Sequence, residues 1–325
     1  MMASKSFLVT KNLPEKFFKN ISTKFMMDMW PHSHDITREQ LLKRVAGKSG
    51  ILCTLSDKID GQLLDAAGPQ LKCVSTLSVG YDHIDVDECK RRGILVGNTP
   101  DVLTDAVAEL TIALLLATIR RLFEANQALR EGKWLRGWGH FFMCGTMIKG
   151  SHIGLIGGSG RIGRSIIKRL RSFEPSRISY TSRTPHSFME QEFGAHFLSM
   201  NELLAESDII IVCCSLNDST RHLLSAEQFC LMKSTAVVIN TSRGSCIDQQ
   251  ALYETLKHGR IAAAGLDVME QEPIATDDPL LALNNVVLLP HIGSAAQSTR
   301  EQMIWMALDN LEAGIDGRPL VASVF

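Results

Sequence analysis

The sequence contains no Cys-x-x-Cys pair: its eight cysteines, at 53, 73, 89, 144, 213, 214, 230 and 246, are scattered, several inside apolar runs. Small buried hydrophobes in a reducing compartment fit that pattern. A reactive thiol at Cys246, close to Arg243, is the less favoured alternative. The ten histidines show no ligand spacing, so no metal site is expected. Charge of one sign is also lacking. Lys and Arg number 34 against 35 Asp and Glu, a net charge of −1, which gives no reason to expect nucleic acid or an anionic membrane as partner. No long hydrophobic run occurs. The apolar stretch around Ile112–Ile119 is too short to span a bilayer, and Phe7–Thr10 too short for a signal-peptide core. The final Ala322-Ser323-Val324-Phe325 is not a peroxisomal address. Solenoid-period repeats and low-complexity linkers are absent too.

What is present is a chain of 325 residues, 45% hydrophobic and 21% charged, enough for two well-cored domains. Short apolar runs at 7–10, 50–55, 71–76 and 94–96 read as buried strands, with helical patterns near 38–45, 62–67 and 85–92 between them. A very apolar helix runs from Thr104 through Arg121, with Thr104 or Asp105 able to cap it. Its breadth suits either an interface or a plain core position. Residues 131–150 read as loop and carry Trp134, Trp138, Phe141 and Phe142, which pack on a partner subunit or on the chain's own surface. A second alternating unit follows, with strands at 152–156, 177–180, 209–213, 236–239, 262–266 and 286–289. A last helix, 295–314, is expected to return to the first unit. The alternation argues for parallel sheets with helices on both faces.

Between the strand Ile153–Ile156 and the helical 164–171 lies Gly158-x-Gly160-x-x-Gly163. Alone the pattern is weak, but its placement between strand and helix makes it a dinucleotide signal. Glycines allow a tight turn and close approach of a pyrophosphate, and the helix start presents free N–H groups. About 20 residues further on, an NAD-selective site carries an acid for the ribose 2′-OH. Here the run is Tyr180-Thr181-Ser182-Arg183-Thr184. Arg183, with the hydroxyls of Ser182 and Thr184, suits a 2′-phosphate, so NADPH is expected over NADH. An exposed loop arginine without a ligand is the alternative.

Three separated residues complete the equipment. Arg243 stands in Asn240-Thr241-Ser242-Arg243-Gly244, Glu272 in Glu272-Pro273, and His291 in Pro290-His291-Ile292-Gly293-Ser294. An Arg holds a carboxylate, a His passes a proton, and a Glu orients that His. Each alone reads better as a surface ion pair, a turn or a capped structural residue; it is the three together that point to chemistry.

Together these motifs resemble the D-isomer-specific 2-hydroxyacid dehydrogenases over nearly the whole chain. They are the Gly158 loop, Asn240–Gly244 with Asp248, Gly265-Leu266-Asp267-Val268 with Glu272-Pro273, and Pro290–Ser294. Leu77–His83 and Thr99–Asp105 are most similar to the members that reduce glyoxylate and hydroxypyruvate. The resemblance implies an α/β protein of two doubly wound parallel-sheet domains. A discontinuous flavodoxin-like substrate domain, 1–103 completed by 296–325, accompanies a Rossmann NADP(H)-binding domain, 104–295. It implies His291 as acid/base, Glu272 as its partner and Arg243 as the substrate arginine. It places the backbone of Val79 and Gly80 on the substrate carboxylate, and Leu55, Ser56 and Ser294 in the substrate pocket. Gly160, Arg161 and Ile162, with Gly158 and Gly163, match the pyrophosphate turn. Ser215, Thr241, Asp267 and Gly293 match cofactor contacts. Trp138 matches, across a nearby length difference, a tryptophan lent by the partner of a cytoplasmic homodimer. A dinucleotide-sensing co-repressor and an NAD-linked phosphoglycerate-type dehydrogenase are the rivals; both call for the acid that Arg183 replaces.

The chain departs from the family in two places. Gly157-Gly158-Ser159 carries one extra residue, and Glu174-Pro175 stands where a helix normally ends on Gly. A non-Gly residue in left-handed geometry costs about 1 kcal/mol, so a different turn is expected at 174.

Overall fold

The computed structural model describes residues 5–135 and 139–325. Trp138 lies outside them. The chain divides into two compact units, one comprising the chain through Leu103 together with Ala295–Phe325, the other Thr104–Ser294.

The first unit contains strands β1 (Ser6–Val9), β2 (Met26–Met29), β3 (Gly50–Cys53), β4 (Cys73–Thr76) and β5 (Leu95–Gly97), with helices α1 (Arg38–Val45), α2 (Gly61–Ala67) and α3 (Val86–Arg91). The strands form one all-parallel sheet in the order β2-β1-β3-β4-β5. Both faces are covered, which is why the strands read as continuous apolar runs. On one face Leu8, Ile51, Val74 and Val96 join Leu41, Leu63 and Leu64 from the helices. On the other, Phe7, Val9 and Leu52 meet Ile304, Leu308, Leu311 and Ile315. Those four belong to the C-terminal helix Gln297–Asp316. It packs so closely that a Cβ on Gly50 would sit 2.7 Å from the Leu311 side chain. Strand β2 is invisible in the sequence: Met-Met-Asp-Met has no β-branched residue and sits at the sheet edge.

The second unit contains α4 (Thr104–Ile119), α5 (Leu122–Arg130), β6 (His152–Ile156), α6 (Arg161–Leu170), β7 (Arg177–Thr181), α7 (Ser187–Phe193), β8 (Ala195–Phe197), α8 (Met200–Glu206), β9 (Ile209–Val212), α9 (Ala226–Leu231), β10 (Val237–Asn240), α10 (Gln249–Lys257), β11 (Ala263–Leu266) and β12 (Val286–Leu288). Its seven strands are all parallel, in the order β12-β11-β10-β9-β6-β7-β8. The order reverses between β6 and β9, so the crevice at the carboxyl ends of those strands is the ligand position of a doubly wound sheet. Alternate strand residues serve opposite faces: Ile209 and Ile211 pack with α4, α6 and α7, while Ile210 and Val212 pack with α8, α9 and α10.

Several local expectations are corrected. The helix beginning at Thr104 does not run through Arg121; it ends at Ile119, and Arg121, at φ 52°, turns the chain into α5. The Asp105 carboxylate turns to α6, accepting from Ser165 Oγ at 2.7 Å and pairing with Arg169 at 3.2 Å. Ala295 falls with the first unit rather than the second. Glu174 does adopt the left-handed conformation, at φ 55° and ψ 51°. The turn is kept without glycine, and Gly150 N–H donates to the Glu174 carbonyl at 2.9 Å. Cys246 is fully buried, its Sγ 3.9 Å from that of Cys214, which removes it as an exposed reactive thiol.

Candidate active site

In the second unit the singled-out residues lie just beyond the carboxyl ends of six neighbouring strands. Gly158–Gly163 follow β6, Ser182–Thr184 follow β7 and Ser215 follows β9. Thr241 and Arg243 follow β10, Asp267 and Glu272 follow β11, and His291, Gly293 and Ser294 follow β12.

The loop after β6 is built on four glycines. Gly157 turns the chain at φ 86°, and a Cβ there would lie 2.7 Å from Cys214 Cα. A Cβ on Gly158 would meet Tyr180 Cβ at 2.8 Å, and one on Gly163 the Gly158 backbone at 2.5 Å. Gly157 bends the turn, Gly158 lets it lie against β6 and β7, and Gly163 lets α6 close on the Gly158 backbone. In the sequence Gly157 reads as part of the altered turn rather than as a cofactor-loop glycine, because the motif reads equally well from Gly158. Gly160 precedes α6 as its N-cap, and the helix's first turn carries no acidic residue. Its leading N–H groups therefore face an anion-compatible end. Glycines that bar side chains beside a helix start fit a dinucleotide pyrophosphate. Beyond β7, Ser182 Oγ donates to the Thr184 carbonyl at 2.6 Å, shaping the turn that exposes Arg183. The Thr241 hydroxyl is buried and shared with Thr111 Oγ1 at 2.8 Å, tying this strand end to α4. Ser215 is exposed, its carbonyl accepting from Thr220 Oγ1 at 2.7 Å.

His291 and Glu272 are in contact, Nδ1 to Oε2 at 2.6 Å. A carboxylate accepts, so Nδ1 carries a proton, and Nε2 is the ring nitrogen that lies outside the pair. The other Glu272 oxygen accepts from Met269 N at 3.0 Å, which fixes the carboxylate plane. His291 sits at φ 53°, a conformation costing about 1 kcal/mol for a non-glycine residue. Asp267 holds it there. Its carbonyl accepts from His291 N at 2.8 Å, and its carboxylate from Ile292 N at 2.8 Å and Gly293 N at 2.7 Å. Asp267 is 1% exposed; burial pushes its carboxyl up, opposed by these two N–H donors and by His291. Nothing in the sequence linked Asp267 to a loop some two dozen residues away.

Arg243 is set by Asn240, whose Oδ1 accepts from Ser242 N at 3.0 Å while Nδ2 donates to the Arg243 carbonyl at 2.9 Å. Arg243 Nη1 donates to the Ser242 carbonyl at 2.8 Å. The next residue has no room for a side chain: a Cβ on Gly244 would lie 1.9 Å from the Met269 carbonyl carbon and oxygen. Met269 lies in the loop that carries Glu272, so Gly244 brings the Arg243 and Glu272 loops together. Gly244→Ala is expected to cost about 2 kcal/mol of stability and to lower kcat/KM at least tenfold, because backbone must move. Denaturant melts and steady-state kinetics check this; an alanine variant with both unchanged contradicts the close approach.

In the first unit, Leu55 and Ser56 follow β3, and Val79 and Gly80 follow the neighbouring β4. The 54–57 loop is pinned by buried Asp57, which accepts from Thr10 Oγ1 at 2.6 Å and Thr54 N at 2.8 Å. In the 78–80 loop every carbonyl is held: Ser78 O by Thr99 N at 2.9 Å, Val79 O by Asn98 Nδ2 at 2.8 Å, Gly80 O by Ser78 Oγ at 2.7 Å. In a planar trans peptide the N–H points opposite to the carbonyl before it. The N–H groups of Val79, Gly80 and Tyr81 therefore face away from those partners, as successive donors suited to an anion.

Comparison with known proteins finds relatives over nearly the whole chain. Residues 112–293 match the family model described as D-isomer specific 2-hydroxyacid dehydrogenase, NAD binding domain. The chain is 49% identical over 294 residues to a glyoxylate reductase/hydroxypyruvate reductase of Homo sapiens, covering 90% of this chain and 89% of that one. It is 42% identical over 313 residues to a glyoxylate reductase of Thermococcus onnurineus, covering 95% and 92%. Among solved structures, an NADPH-dependent glyoxylate/hydroxypyruvate reductase from Sinorhizobium meliloti, in complex with NADP and malonate, superposes with a TM-score of 0.86 at 35% identity, covering 99% of this chain and 97% of that one. The chain belongs to the D-isomer-specific 2-hydroxyacid dehydrogenase family.

Proposed function

We propose that this protein reduces small 2-keto acids, glyoxylate and hydroxypyruvate, to glycolate and D-glycerate with NADPH. The observation that carries the reading is the His291–Glu272 pair, locked by Asp267 at the carboxyl edge of a dinucleotide-type sheet. Bound NADPH supplies the hydride. The Gly158–Gly163 turn and the start of α6 hold its pyrophosphate, and Ser182, Arg183 and Thr184 its 2′-phosphate. Ser215, Thr241, Asp267 and Gly293 line the nicotinamide side. Arg243 pairs with the substrate carboxylate and polarises the keto oxygen. In the first unit, the N–H groups of Val79 and Gly80 are the donors this reading assigns to a carboxylate. Leu55, Ser56 and Ser294 bound the substrate. His291 Nε2 delivers the proton to the developing alkoxide, with Glu272 stabilising the imidazolium.

The first unit acts in this reading as the substrate domain and the second as the nucleotide domain. Two copies pair through residues 122–135 and 139–147, where Leu122, Phe123, Leu129, Phe141, Phe142 and Met147 are all more than half exposed. A chain with no helix long and apolar enough to cross a membrane, among the described residues, is consistent with a cytoplasmic enzyme.

The test is NADPH oxidation by purified protein with glyoxylate and with hydroxypyruvate, repeated with NADH and with Arg183→Ala. Arg183 is exposed and makes no ion pair among the described residues, so a charge-assisted contact to a 2′-phosphate is its natural use. Losing one raises KM for NADPH about 10–100-fold while leaving the NADH value nearly unchanged. Equal effects on both cofactors, or a wild-type preference for NADH, contradict the 2′-phosphate assignment.

A further inference from the structure

The 78–80 loop ends a hydrogen-bond chain whose proton order is forced. The Gly80 carbonyl can only accept, so Ser78 Oγ, 2.7 Å away, donates its single proton there. Thr76 Oγ1, 2.8 Å from Ser78 Oγ, must then donate to it. With that proton committed, Thr76 Oγ1 accepts from His83 Nε2 at 3.1 Å. His83 is thereby fixed with a proton on Nε2, and the chain runs one way from imidazole to Gly80.

Its end point matters because the Gly80 carbonyl and the Tyr81 N–H share one planar peptide. Holding the carbonyl inward aims that N–H outward, beside those of Val79 and Gly80. Thr76 and Ser78 are buried, so the chain competes with no bulk water.

We propose that His83, Thr76 and Ser78 are positioning residues for the carboxylate end of a 2-keto acid, adding a third donor, Tyr81 N–H, to the loop that receives it. The inference rests on the keto-acid reductase reading above. It does not depend on His291, Arg243 or the cofactor loop, none of which belongs to the first unit.

The experiment compares wild type with Thr76→Val, His83→Leu and His83→Gln, measuring kcat and KM for glyoxylate, KM for NADPH and thermal melting. Thr76→Val and His83→Leu are expected to raise KM for glyoxylate about tenfold, with kcat within about twofold and KM for NADPH unchanged. His83→Gln keeps an N–H near the Nε2 position and is expected to restore the glyoxylate KM. Unaltered glyoxylate KM in both Thr76→Val and His83→Leu overturns the relay. So does a parallel loss of kcat and NADPH affinity that His83→Gln fails to recover, since that marks a merely structural role. Wild-type protein that turns over neither keto acid removes the underlying reading and the relay with it. Wild-type turnover with insensitive variants removes the relay alone.

Discussion

His291→Gln is expected to lower kcat for glyoxylate about a thousandfold while leaving NADPH binding unchanged. Glutamine matches the imidazole in reach and keeps an N–H near Nε2, so a role confined to hydrogen bonding or packing would survive the change. What glutamine cannot do is give up a proton. The local structure isolates that difference. The main chain at 291–293 is held by three acceptors on Asp267, which do not involve the imidazole. Glu272 is held by Met269 N as well as by His291, so it does not collapse when its partner changes. Steady-state kinetics with a fluorescence titration of NADPH decide the matter. Turnover within tenfold of wild type, from a variant that binds cofactor normally, takes proton transfer away from His291.

How much of this site could be read from the sequence depended on whether its logic is local. Gly158-x-Gly160-x-x-Gly163 needs only a strand before it and a helix after it, and both are visible as apolar periodicity. Arg243, Glu272 and His291 each sit in a short run with its own signature. The buried parallel strands announce themselves as runs such as Ile209–Val212, because both faces are covered. The edge strands β2 and β8 do not: Met26–Met29 and Ala195–Phe197 are short and lack a continuous apolar run. What the sequence hid most thoroughly were the couplings between loops. Asp267 reads as a polar residue ending a strand, and only the fold brings its carboxylate to two N–H groups of the histidine loop. Gly244 reads as an ordinary glycine after an arginine, and only the fold puts it against Met269. The Glu174 turn shows the converse. A propensity of about 1 kcal/mol pointed to a different turn, and tertiary contacts overrode it.

Arg243→Gln is expected to cost about a thousandfold in kcat/KM, spread over both parameters. An arginine that only held the carboxylate would bind ground and transition states alike, and its loss would appear in KM alone. The proposed geometry asks more. One Nη1 donor is anchored on the Ser242 carbonyl, and Asn240 fixes the backbone on either side, so the guanidinium plane has a set direction. A planar guanidinium fork has donors for a carboxylate oxygen and an adjacent keto oxygen together, and charge grows on the second only as hydride arrives. Arg243→Lys separates the two duties. Lysine keeps the charge but presents a point donor rather than a fork, so it should recover part of KM and little of kcat. A glutamine variant with raised KM and intact kcat would assign the keto oxygen to His291 alone. A lysine variant equal to wild type would mean that charge, not geometry, is what Arg243 contributes.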